Sequence, residues 1–185
     1  MNYGLPKSLE VNGREEPIRW EYTAILDAIS ALNDPDLEKN ERLYDALFII
    51  YENFEYFKPE DLQSAWDAAY EFINGDVGDD SRSDVKTIDF EQDYKIMIPA
   101  INKVAGREIR GEEGIHWWTF IGWLMELGDC TYSTVLTIRT KQNKGKKLES
   151  YERDFYNANK NIVDIKPRLS KEEKEQEEWL NNFLR

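Results

Sequence analysis

One histidine and one cysteine are all that the 185 residues offer to imidazole or thiol chemistry. His116 stands in Ile115-His116-Trp117-Trp118 and would be the base of any nucleophilic triad, which needs a third group to orient it. Set among apolar neighbours, it reads instead as a hydrogen-bonded core residue. A single histidine with a single cysteine excludes a His–Cys zinc centre, and Cys130 alone excludes an internal disulfide. Four aspartates, Asp76, Asp79, Asp80 and Asp84, crowd the segment NGDVGDDSRSDVKTI. Their spacing misses the alternating oxygen ligands and closing glutamate of a calcium loop, so a solvated loop is expected. With 37 Asp and Glu in the chain, paired carboxylates arise by chance and do not indicate acid–base catalysis. There is no phosphate-binding glycine loop and no HExxH. No catalytic residue, cofactor or metal is expected, and an enzyme is the weaker reading.

The elements that carry these residues read as helical. Tyr22, Ile25, Ile29 and Leu32 recur at helical spacing until Asn33-Asp34-Pro35. Leu43, Ala46, Leu47, Ile50 and Phe54 repeat the pattern. Pro59 suits the start of a third helix through Leu62, Ala65, Trp66, Ala69, Tyr70 and Ile73, ended by Asn74-Gly75. Asp89 with Gln92 three residues on has the form of a capping box for a helix whose Pro99 should kink it. The segment 115–127, IHWWTFIGWLMEL, is apolar nearly all round and is expected to be buried from several sides. A further helix or extended segment spans Tyr132–Thr140. Leu148, Tyr151, Phe155, Ala158 and Ile162 then step as a narrow seam suited to one partner helix. Ser170 with Glu173 caps a last helix whose apolar residues, Trp179, Leu180, Phe183 and Leu184, crowd its end and must dock somewhere. Before all of these, Asn12-Gly13 predicts a type I′ hairpin turn. The expected architecture is all-α: a helical bundle with a small N-terminal β-hairpin, residues 1–140 as core, and 141–185 as basic linker and helical tail.

The net charge is −13. Residues 1–138 hold 12 Lys and Arg against 28 Asp and Glu, while residues 139–185 hold 12 against 9. An acidic body repels phosphates rather than releasing their counterions, which disfavours nucleic acid as a partner. No apolar run reaches the length of a membrane span, and the N-terminus lacks the regions of a signal peptide. The cluster Arg139, Lys141, Lys144, Lys146, Lys147 reads as a solvated linker, with a charged docking surface second. The charge contrast predicts weak, salt-sensitive self-association in which the basic tail of one copy lies on the acidic body of the next.

Asp89-Phe90-Glu91-Gln92-Asp93, Ile115-His116-Trp117-Trp118-Thr119-Phe120, Leu124-Met125-Glu126-Leu127 and Ile138-Arg139 follow one another in an order that resembles the tail-assembly chaperones of long-tailed bacteriophages infecting Gram-positive hosts. The opening Leu5-Pro6-Lys7-Ser8-Leu9-Glu10-Val11-Asn12-Gly13 is similar too. That resemblance implies a non-virion protein of the host cytoplasm that binds the tape-measure protein. It also implies a sister chaperone, with the major tail protein as a further contact. His116, Trp117, Trp118, Phe120 and Arg139 are then expected to be architectural, Arg139 as an anchor for a carboxylate or a helix C-terminus. Leu148, Tyr151, Phe155, Ile162, Trp179 and Phe183 are the candidate partner-binding residues. The alternative reading is an acidic mimic of nucleic acid that inhibits a DNA-binding protein.

Overall fold

Two residues with positive φ, Asn12 at 49° and Gly13 at 78°, join strand β1 (Ser8–Val11) to β2 (Arg14–Pro17). This is the backbone that a type I′ turn demands, and it pairs Val11 with Arg14 across the ladder. The computed structural model describes residues 4–75 and 87–183. Asp76, Asp79, Asp80 and Asp84, and the last apolar residue Leu184, lie outside the described residues. The fold is mostly helical with this one small hairpin. The chain forms two compact units, Met1–Ile73 with Lys166–Arg185, and Asn74–Ile165.

In the first unit, α1 (Tyr22–Leu32) and α2 (Lys39–Ile50) pack as a helical hairpin. Tyr22, Ile25 and Ala28 of α1 and Ala46, Leu47 and Ile50 of α2 are buried. Phe54 does not extend α2. It opens a 3-10 turn (Phe54–Tyr56), because the chain turns extended at Tyr51, where Ile18 makes a bridge to it. Arg19 holds that end of α2 by donating through one nitrogen to the carbonyls of Phe48, Ile49 and Tyr51 at 3.1, 2.8 and 3.0 Å. Pro59 begins a second 3-10 turn (Pro59–Asp61) that runs into α3 (Leu62–Asn74). The buried stripe of α3 is Ala65, Ala69 and Phe72, whereas Tyr70 is exposed. Tyr51 ties the two halves of the unit together, its buried hydroxyl donating to the Ala65 carbonyl at 2.8 Å. Burial, with Glu16 nearby, pushes that phenol well above its ordinary range.

The hairpin is fastened by Asp61, only 3% exposed. Its carboxylate accepts from the Lys58 N–H at 3.1 Å and the Asn12 side-chain amide at 2.8 Å, and pairs with Arg14 at 3.0 Å. These donors, the Lys58 amide foremost, hold its pKa down at about 2. A carboxyl depressed in this way contributes stability above its unfolded pKa of about 4 and loses it as pH falls through about 2. Asp61→Asn should therefore flatten the acid limb of stability in that window. Denaturant melts stepped across it should converge for the two proteins toward about pH 2.

Candidate functional site

The second unit is organised around a charge that water does not reach. Helix α4 (Phe90–Ala105) runs on through Pro99 and ends at Gly106, whose φ is 69°. Asp89 caps it, accepting from the Glu91 and Gln92 N–H groups at 3.2 and 3.1 Å. The return bond of the expected capping box is made by the wrong residue: the Asp89 N–H donates to Asp93 at 3.1 Å, one position beyond Gln92. Asp93 shares the buried face of α4 with Met97, Ala100 and Ile101, and it meets Arg139 on α6 (Thr131–Asn143).

Arg139 and Asp93 form a two-pronged pair, Nη1 to Oδ2 at 2.7 Å and Nη2 to Oδ1 at 2.8 Å, with both side chains buried. The remaining guanidinium donors go to backbone carbonyls: Nε to Val163 at 2.6 Å, Nη2 to Ile162 at 3.0 Å and Nη1 to Thr87 at 3.0 Å. All five N–H groups of the arginine are used. Tyr132, also on α6, donates its hydroxyl to Asp93 at 3.2 Å, and its phenol is pushed far above the ordinary range by burial, with the Asp93 charge adding to it. Arg139 thus anchors a carboxylate and also the last carbonyls of a helix, α8 (Lys160–Val163). The solvated linker expected from residue 139 onward is not found at its start. Lys141 likewise pairs with the buried Glu152 at 2.7 and 2.8 Å, which pins α7 (Ser150–Ala158) to the end of α6. That contact lowers the Glu152 pKa, with the Glu149 N–H adding to it.

The His-Trp-Trp segment opens α5 (Trp117–Met125). His116 is its N-cap, buried, with Nδ1 accepting from the Trp118 N–H at 3.0 Å. Trp117 is the core tryptophan, stacked on Phe120 at 5.7 Å and edge-on to Phe90 at 5.8 Å. Trp118 points the other way and is 38% exposed, and Met125 is exposed as well. The expectation of burial from every side is therefore corrected: α5 buries Trp117 and Phe120, half-buries Ile121, Trp123 and Leu124, and exposes Trp118 and Met125. A helix this short and this apolar gives no sequence signal for which face is inside.

The other predicted residues fall outside the core. The seam is interrupted at Asn159, between α7 and α8. Tyr151 and Ala158 are exposed, Leu148, Phe155 and Ile162 are half-buried, and the buried positions are Glu152 and Val163 instead. On α9 (Lys171–Phe183), Ser170 and Glu173 make the expected capping box at 3.2 and 2.7 Å, while Trp179, Leu180 and Phe183 stand exposed. One surface was missed altogether. Tyr44 and Phe48, one turn apart on α2, are exposed, as is Tyr56 on the 54–56 turn, and Phe54 lies beneath the first two with its ring edge-on to Tyr44 at 4.9 Å and Phe48 at 6.2 Å. Its only signal was two aromatics four residues apart, off the apolar repeat.

Among the described residues, no group of three or more histidine, cysteine or acidic side chains could hold a metal ion, and no helix is long and apolar enough to cross a membrane. What the fold presents is a helical protein with buried charged anchors and exposed aromatic surfaces. Residues 1–165 match the family of the Bacteriophage Gp15 protein, and the chain belongs to that family. No curated protein matches it, and no solved structure does.

Removing a partner from a buried pair costs about 3–5 kcal/mol. Arg139→Met should lose that much in denaturant unfolding, and Arg139→Lys should remain destabilised, because an ammonium lacks the fork that serves three carbonyls and a carboxylate. In the same assay Trp117→Ala should cost about 3–5 kcal/mol and Trp118→Ala below about 1 kcal/mol.

Proposed function

We propose that this protein is a tail-assembly chaperone that binds the tape-measure protein in the host cytoplasm, is absent from the finished virion, and acts with a sister chaperone. Three observations support the reading: membership of a bacteriophage family, a strongly acidic chain, and exposed aromatic rings on helices. The ring cluster of the first unit carries it. Tyr44, Phe48 and Tyr56 are large side chains left in water, Tyr56 to 76%. Rings of this size are normally buried where they can be, and an exposed cluster set on a firm helical base marks a surface for another protein. Glu41, Glu52 and Glu55, near these rings in sequence, are exposed too. A surface of rings and carboxylates suits an amphipathic helix that carries apolar and basic residues. Once such a helix is covered, the acidic remainder of the chaperone keeps the complex dispersed by charge repulsion.

A tape-measure segment from the same phage, made alone and together with this protein, tests the reading. Co-expression should move the segment into the soluble fraction and give a complex that survives gel filtration. Tyr44→Ser with Phe48→Ser should weaken that complex by at least about tenfold, since each buried ring contributes about 1.5–3 kcal/mol, while circular dichroism shows the variant still folded. A segment that stays insoluble, while a basic DNA-binding protein is captured instead, would favour the nucleic-acid mimic.

A further inference from the structure

The C-terminal helix starts against its own unit, the Lys171 N–H donating to Asp36 at 2.7 Å, but its side chains from Glu172 to Glu177 are exposed, as are the lysines after α6, and the two are complementary in charge. Along α9, Glu172, Glu175 and Gln176 border a groove of about 320 Å³ that Trp179 closes at one end. One turn on, Phe183 stacks against Trp179 at 5.4 Å with the rings 12° from parallel. Trp179 is 65% and Phe183 73% exposed. A groove with carboxylates at one end and an indole at the other fits a lysine: the stem lies on the ring and the ammonium reaches the acids.

The chain itself supplies such lysines. Helix α6 ends at Lys144 and Gly145 (φ 61°), and the backbone doubles back so that the Lys146 N–H donates to the Lys141 carbonyl at 2.8 Å. This leaves Lys144, Lys146 and Lys147 exposed on one short turn. The Lys141–Glu152 pair holds the first turn of α7 beside them, and there Tyr151 is 66% exposed. Three cations next to an aromatic ring face outward, as do two stacked rings next to carboxylates on α9.

We propose that α9 of one copy docks on the Lys144–Lys147 turn and Tyr151 of a second copy, so that copies associate head to tail. Charge selects this occupant over a second α9. Each α9 carries five glutamates and two lysines, so two of them pairing would set like charges together, whereas the lysine turn neutralises them. The contact joins different surfaces of the two copies, so it repeats along a line or closes as a ring. It uses other residues than the Tyr44–Phe48 cluster and does not depend on the tape-measure reading.

Charge reversal on each side tests the pairing with the full chain. Sedimentation of the wild type should show concentration-dependent oligomers that weaken with salt, because exposed charges are screened beyond about 8 Å at physiological ionic strength. Glu172→Lys with Glu175→Lys should raise the concentration needed for association at least tenfold, and Lys144→Glu with Lys147→Glu should do the same. The two variants mixed should associate again, since every α9 then meets a turn of opposite charge. All four positions are exposed, so circular dichroism should show each variant folded, and Trp179→Ser, which leaves the charges alone, should also weaken association. A wild type that stays monomeric at all concentrations, as it would if α9 docked within its own chain, overturns the proposal. So does a mixture that fails to recover, or association that the charge variants leave unchanged.

Discussion

The Arg139–Asp93 bond is the constraint on which the second unit depends. Two ions removed from water cost several kcal/mol each unless geometry and further hydrogen bonds compensate. Here the compensation is complete on the arginine side: a carboxylate takes two donors and three carbonyls take the rest. Those acceptors come from the segment before α4, from α4 itself and from the end of α8. A side chain on α6 thus fixes the position of every other piece it touches. Removing it would orphan the ends of two elements at once, which is a larger fault than the loss of one ion pair. Apolar packing alone would tolerate small rotations of α4 on α6, whereas a guanidinium with five assigned acceptors does not.

The first unit applies the same device with a carboxylate. Asp61 gathers the hairpin turn, Arg14 and the entry to α3 onto two oxygens, and Arg19 gathers the last carbonyls of α2. Short elements are held by charged side chains that satisfy backbone groups at their ends, where a helix has unpaired carbonyls and amides in any case. With positions fixed from the ends, the unit can leave large rings on its surface and still keep a defined shape. That separation supports a protein that works by contact. The buried Asp61, Asp93, Arg139 and Glu152 are taken up with structure, and the exposed rings of α2 are presented on a packed base.

Much of this was legible in the residues, for reasons that differ by element. Asn12-Gly13 and Ser170–Glu173 are local rules with a single backbone solution, and both appear as read. Helices α1 and α3 follow from spacing alone. The anchoring role of Arg139 was expected from the resemblance, but its partner was not. Asp93 looks like one more acid in the first turn of a helix, yet it stands one turn before Met97 on the buried stripe of α4, and its return bond to the Asp89 amide helps hold it there. Trp117 lies in the core as expected, but Trp118, expected there with it, does not, because an apolar nine-residue helix has no polar face to orient it. The seam at Leu148–Ile162 was a true periodicity that Asn159 interrupts, and the pairing of Lys141 with Glu152 gives α7 a charged anchor in place of an apolar one. Tyr44 and Phe48 were overlooked because the repeat Leu43, Ala46, Leu47, Ile50 already accounted for α2.

On the proposed function, contact falls on surface rings while the charged anchors remain a fixed scaffold. Amide hydrogen exchange, with and without a soluble tape-measure segment, reads both parts in one experiment. Binding should slow exchange in α2 and the 54–56 turn, and leave the amides of α4 and α6 around Asp93 and Arg139 at their slow free-protein rates. Slowing confined to α4 and α6, with α2 unchanged, would contradict the account.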